Sequence, residues 1–304
     1  MSFSKGLPTM ILGLLSPICF IPTTALAEDE TPAFSSDPAL ETNSRYGLFN
    51  WLDHRSAYSQ DFFPQPLLLD DTSLETDGEL EFNFLHTQAN ARRSTVATAE
   101  IQKSFGSLTL ELGLPYERDS DSGALSRGIG SISFGARYPI YQYVSSNRLL
   151  DTTWGIGTEL GIPVTSAITS NIELTPKIFN DLKLGNNFSI QSVLGYSMLL
   201  GGGENRGLHT FEYGCAFAYA IPQSELPLPG VQRFTPIFEL VGETELNKDE
   251  SGQNSLLGSI GFRADFRPIG DLHPSLGLGY VFPMDSGARM EAHRGIAVSL
   301  IFGF

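Results

Sequence analysis

Residues 294–304 separate into two interleaved rows with opposite preferences for solvent. Phe304, Phe302, Leu300, Val298 and Ile296 fall on one side of an extended chain, and Gly303, Ile301, Ser299, Ala297 and Gly295 fall on the other. Successive side chains of a strand point to opposite faces, so this segment has one apolar, aromatic face and one face of mostly small residues. A closed sheet with hydrocarbon outside and a narrow interior suits both faces at once.

The same period of two recurs upstream. Twelve segments are expected near 79–90, 94–105, 107–117, 129–143, 152–163, 171–184, 187–199, 207–221, 232–245, 254–266, 274–283 and 294–304. The clearest sets Trp154, Ile156, Thr158, Leu160 and Ile162 against Gly155, Gly157, Glu159 and Gly161. Each is close to the roughly 9–11 residues that a tilted strand needs to cross a bilayer. A sheet edge in lipid leaves N–H and C=O groups unsatisfied at several kcal/mol each, so strands facing hydrocarbon must close on themselves. The expected fold class is all-β: a transmembrane antiparallel up-and-down β-barrel of about twelve strands over 79–304, with a non-barrel segment before it. A mean hydropathy of −0.04 does not oppose this, because only half of a barrel's strand residues face lipid.

Turn chemistry sorts the connections. Stretches 118–128, 201–207, 246–253 and 284–293 are rich in Gly, Asp, Glu and Arg and read as outer loops; 105–106 and 185–186 read as short inner turns, with the Pro-rich 222–230 on the same side. Three segments end on Pro115, Pro163 and Pro283, where a residue without a ladder donor is tolerated. Aromatic residues gather toward the segment ends (Tyr116, Tyr138, Tyr141, Tyr143, Trp154, Tyr219, Phe266, Phe282, Phe302 and Phe304), as an interfacial girdle requires.

The first 27 residues read as a secretory signal peptide. Lys5 is the only charge before Glu28, the run from Met10 to Ile21 is largely apolar, and Ala25 and Ala27 supply the small residues of a cleavage site after Ala27. Residues 28–78 read as a periplasmic N-terminal segment or plug. Within it, 28–44 is polar and acidic without a period, whereas 45–70 is aromatic-rich, with Tyr46, Trp51, Tyr58, Phe62, Phe63 and the leucines 67–69. This stretch fits a short helix at the periplasmic mouth, the preferred reading, or a plug in the lumen. A net charge of −15 argues against nucleic acid, whose affinity comes from Lys and Arg on phosphates. Of two cysteines only Cys215 lies beyond the signal peptide, so no internal disulfide is expected; it falls on the lipid face with Tyr213, Phe217 and Tyr219.

The chain's end resembles the C-terminal strand of bacterial outer-membrane proteins, on which the insertion machinery reads a terminal Phe, here Phe304. Taken with the strand spacing and Gly157-Thr-Glu-Leu-Gly-Ile-Pro163, it resembles the outer-membrane family of MetA-pathway phenol-degradation, transporter-like proteins of Gram-negative bacteria. That resemblance implies the barrel, a location in the cell outer membrane and a general transport role, and it carries over no functional residue. The family follows its strand-end proline with Thr-Gly, where this chain has Val164-Thr165.

The expected inward face carries Glu81, Glu100, Glu111, Glu159, Glu173, Glu212, Glu239, Glu243 and Asp265 against Arg137, Lys177 and Arg263. Such a lumen favours cations or neutral solutes over anions, unless acids and bases pair across it and merely solvate the interior. Inward glycines (Gly113, Gly135, Gly155, Gly157, Gly161, Gly214 and Gly261) leave room for a water path. The expectation is a passive channel for small neutral, cationic or apolar solutes, in contact with the bilayer and the insertion machinery. Its rival is a non-conducting barrel whose outer loops bind at the surface. No enzyme, cofactor or metal site is expected: the five histidines show no ligand spacing, and only His209 beside Thr210, and His86, lie on strands near the outer rim.

Overall fold

Alternating side chains make a wall only when each strand finds a partner on both sides. The computed structural model of the chain describes residues 63–304, apart from 73–77, 91, 106–107, 146, 148, 167, 202–205 and 248–250. The expected signal peptide and residues 28–62 lie outside the described residues. Fourteen strands and one helix follow in order: β1 (Gly78–Ala89), β2 (Arg92–Phe105), β3 (Leu108–Asp121), β4 (Ala124–Ile129), β5 (Ser131–Val144), β6 (Leu150–Pro163), β7 (Ile172–Leu184), β8 (Phe188–Leu200), β9 (His209–Tyr219), β10 (Ile221–Pro222), β11 (Val231–Glu245), β12 (Asn254–Phe266), β13 (His273–Pro283), α1 (Ser286–Glu291) and β14 (Arg294–Gly303). Twelve of the strands form the wall, each antiparallel to its neighbours. The ring closes where β14 pairs with β1, from Glu79 opposite Gly303 to Gln88 opposite Arg294, and where β9 pairs with β11. Short β4 and β10 extend the ring at opposite ends, beside β3 and β11.

Side-chain exposure follows the period of two. On β14, Ile296 and Leu300 are exposed while Gly295, Ala297, Ser299 and Ile301 are buried. Phe82, Phe84, Leu112, Leu114, Ile156, Ile178, Leu194, Ile260 and Leu278 continue the outer apolar surface around the ring. A soluble protein exposes contiguous apolar patches of a few hundred Å² at most; a band around the whole circumference belongs in hydrocarbon. Aromatic rings mark its two margins. Tyr141, Tyr143, Trp154, Tyr219 and Phe304 stand exposed at the end where β1 begins and β14 finishes, and Tyr116, Tyr196, Phe211 and Tyr280 stand toward the other. Cys215 shares the outer row of β9 with Tyr213 and Phe217, alternating with buried Ala216 and Ala218.

Two prolines shape the wall locally. Pro115 of β3 offers no N–H, and the descending strand breaks beside it: Gly130, between β4 and β5, donates to the Pro115 carbonyl at 3.0 Å. On β5 the register shifts between Pro139 and Tyr141. This bulge puts Tyr141 and Tyr143 on the outside with Tyr138, whereas strict alternation would turn them inward.

The stretch 118–128, expected as an open outer loop, is instead a continuation of the β3–β4 hairpin. Asp121 pairs with Ala124, and the turn residues Ser122 and Gly123 have φ of 49° and 92°. Positive φ at both central positions matches the right-handed twist of flanking strands, and a Ser-Gly pair after Asp121 accommodates it. The stretch 284–293 contains α1, capped by Asp285, whose carboxylate accepts from the Ala288 N–H at 2.8 Å.

Candidate functional site: the barrel lumen

Residues 63–72, Phe-Pro-Gln-Pro-Leu-Leu-Leu-Asp-Asp-Thr, cannot join a sheet, since Pro64 and Pro66 lack donors. Their remaining backbone groups need partners elsewhere, and the inner wall supplies them. The carbonyls of Gln65 and Pro66 accept from Arg263 Nε and Nη2 at 2.9 and 3.2 Å. The N–H groups of Leu67 and Leu68 donate to Glu239 Oε1 at 2.6 and 3.2 Å. Arg137 donates to the Asp71 carbonyl and pairs with the Asp71 carboxylate at 2.9 Å. Side chains complete the attachment: Gln65 to Glu79, Asp70 to Lys177, and Thr72 to Asp181 and Gln191.

These partners trace a path. Phe63 lies near Phe266, His273 and Gly303 at the end that holds both wall termini. Leu67 and Leu68 reach Glu239 at mid-height, and Thr72 has returned toward Asp181 and Gln191. The segment is a tongue folded into the lumen. The preferred expectation of a helix at the mouth therefore fails for residues 63–70, and 45–62 lie outside the described residues. The reading of the inward glycines changes with it. A Cβ at Gly261, Gly277 or Gly279 would meet Leu67, and one at Gly214 would meet Leu69. Gly155 leaves space for the Phe179 ring, and Gly135 for Glu111. These glycines seat side chains, so they do not by themselves open a water path.

Acids and bases of the wall border the lumen and its tongue, and their pairing depends on height. From the end that holds the termini to just past mid-height, cations are matched. Arg137 faces Asp71 and lies 3.5 Å from Glu111, Lys177 bridges Asp70 and Glu159, and Arg233 holds Asp265 at 2.6 Å. Arg263 donates to Ser299 Oγ at 3.3 Å, and that hydroxyl donates onward to Glu81 at 2.9 Å. Glu239 is fully buried, accepting from the tongue on one oxygen and from Ser259 on the other. Glu100 accepts from Gln102 at 2.7 Å. The Lys177 ammonium beside Asp70 holds that carboxyl below the ordinary carboxylate range.

Toward the loop end four acids gather without a direct ion pair. Glu173 accepts from Ser197, Glu291 of α1 accepts from Ser255 at 3.0 Å, and Glu212 and Glu243 line the space between them. Among the described residues, no Lys or Arg pairs with any of these four. Two cavities flank the apex of the tongue. One of about 280 Å³ is bounded by Glu81, Glu100, Glu111, Lys177 and Phe179; the other, of about 260 Å³, lies between Leu68, Leu69, Asp70 and the acids Glu212, Glu243 and Glu291.

Gln102, Asp181, Gln191 and Arg233 also line the lumen, and their strand parity with Glu100, Lys177, Val193 and Thr235 marks them as inward. Asp70 and Asp71 had no such marker, since their stretch has no period. The two rim histidines are on the outside of the wall: His209 Nδ1 lies 3.0 Å from the Tyr196 hydroxyl and His86 Nδ1 2.9 Å from that of Thr95.

No family model matches the chain, and no curated protein does. Solved structures do. An outer membrane channel from Pseudomonas putida F1 is 13% identical with a TM-score of 0.51, over 75% of this chain and 94% of that one. The NanC porin is 8% identical with a TM-score of 0.46, over 74% and 98%, and the KdgM porin 12% identical with a TM-score of 0.43, over 74% and 99%. The fold is that of an outer-membrane β-barrel. Closure without an edge and the apolar outer band agree with a place in that membrane.

Proposed function

We propose that the barrel is a passive channel for small neutral or cationic solutes, its path narrowed by the tongue at 63–72. The observation that carries this reading is the charge gradient along the lumen. Among the described residues the acids at the loop end form no direct ion pair, whereas at the tongue acids and bases alternate in direct pairs. A low-dielectric wall lined by one sign of charge concentrates counter-ions, so the acidic vestibule draws cations toward the two cavities. The resemblance to the phenol-degradation family is compatible with a neutral solute, for which the leucines of the tongue offer an apolar contact. Phe304 as the residue read by the insertion machinery belongs to the same proposal.

Planar-bilayer recording of the full chain in a salt gradient tests it. Ohmic steps with a reversal potential on the cation side are expected, and Glu212→Gln/Glu243→Gln should move that potential toward zero. A barrel shown to be inserted and yet silent, with or without its tongue, would favour the rival reading of a non-conducting surface protein.

A further inference from the structure

The outer surface carries one strip that does not fit a uniform lipid coat. At the loop-end rim, Arg294 stands opposite Gln88 and Gln88 opposite Arg93, all on the outward row. One row nearer the middle, Arg118 and Arg127 face each other across β3 and β4. All four arginines are exposed, and among the described residues none is paired with a carboxylate; Arg294 donates only to Gln88, at 3.1 Å. A chain of net charge −15 thus gathers four guanidinium groups on adjacent outward rows.

Directly below them the wall is recessed. The outward residues of β2 are Ala97 and Ala99, flanked by Phe82 and Phe84 on β1 and by Leu114 and Tyr116 on β3. The short alanines between taller neighbours leave an apolar groove of about 400 Å³ that runs along β2. Loops lie on the outer side of such barrels, so the groove falls at the depth of outer-leaflet chains and the arginines at the depth of headgroups.

We propose that this strip binds one anionic, phosphorylated lipid of the outer leaflet, with its phosphates on Arg93, Arg118, Arg127 and Arg294 and an acyl chain in the alanine groove. Guanidinium forks suit phosphate oxygens, and four of them at the rim neutralise more than one phosphate. An acyl chain fills the groove, which the side chains on either side leave open. The site is on the opposite face of the wall from the lumen and does not depend on conduction.

Native mass spectrometry of the full-chain protein in detergent tests the site, titrated with diphosphorylated lipid A, with the same lipid A after phosphate removal, and with inorganic phosphate. Wild type should retain the phosphorylated lipid at concentrations at least several-fold lower than the dephosphorylated one, and inorganic phosphate should not displace it. Arg93→Gln/Arg118→Gln/Arg127→Gln/Arg294→Gln should weaken retention about tenfold or more. Ala97→Trp, which fills the groove and leaves every arginine, should weaken it as well. Circular dichroism checks that each barrel is folded; if the quadruple variant is not, Arg118→Gln/Arg127→Gln, which changes one facing pair on β3 and β4, takes its place. Equal retention of both lipids, displacement by inorganic phosphate, or unchanged retention by a folded arginine or groove variant would overturn the proposal.

Discussion

Arg263 joins two otherwise separate parts of the chain. It is almost fully buried, two of its nitrogens hold the carbonyls of Gln65 and Pro66, and its charge faces Glu81 through Ser299. Removing one partner of such a group leaves a buried charge uncompensated, so Arg263→Met should cost about 3–5 kcal/mol in denaturant unfolding of the detergent-solubilised barrel. Arg263→Lys should recover only part of this, because one ammonium takes the place of the three guanidinium nitrogens that reach Gln65, Pro66, Ser275 and Ser299. Asp70 adds a pH dependence of known sign. Its carboxyl is held low by Lys177, so the pair contributes at every pH above the ordinary carboxylate value and is lost as pH falls through the depressed one. Protection factors of the amides of residues 67–72, taken against the intrinsic exchange rate at each pH, should therefore be high at neutral pH and fall below about pH 4; protection that is lowest at neutral pH would contradict the pairing. Both wall residues were legible as inward from strand parity. Their tongue partners, close to 200 residues away for Arg263, were not, because Pro64 and Pro66 interrupt any period that could have marked a face.

At the scale of elements, nearly every strand lies within a few residues of its expected position, since a lipid-facing wall forces the period of two to be nearly unbroken. Two departures have local causes. The Ser122-Gly123 turn converts an expected loop into a hairpin, and the bulge after Pro139 re-aims Tyr141 and Tyr143. The glycines taught the opposite lesson, because absence of a side chain reads the same whether the space is empty or filled by another residue. Gly279 decides between these readings. A Cβ there would collide with Leu67 while staying 3.8 Å from the nearest backbone atom, so the wall tolerates it and the tongue does not. Gly279→Val is expected to leave the circular dichroism spectrum of the barrel unchanged and to raise protease cleavage near Leu67; an uncut tongue in a folded variant would show that Leu67 has room to shift.

The whole molecule combines an apolar outside, a polar inside and a segment folded back into that inside. The outside was legible from alternation alone, because hydrocarbon permits no other arrangement of strands. The inside was legible in composition but not in arrangement. The same acids and bases could have paired throughout or not at all; the wall pairs some of them by itself, and the tongue adds partners to others. By supplying Asp70, Asp71 and the carbonyls of Gln65 and Pro66, it adds partners to Lys177, Arg137 and Arg263, and it offers none to the acids at the loop end. If that segment is what narrows the path, paired single-channel recordings of wild type and a variant lacking residues 63–72 will separate. The deletion should conduct several-fold more per step with cation preference retained; identical step sizes in two correctly inserted barrels would mean that the tongue does not obstruct the lumen.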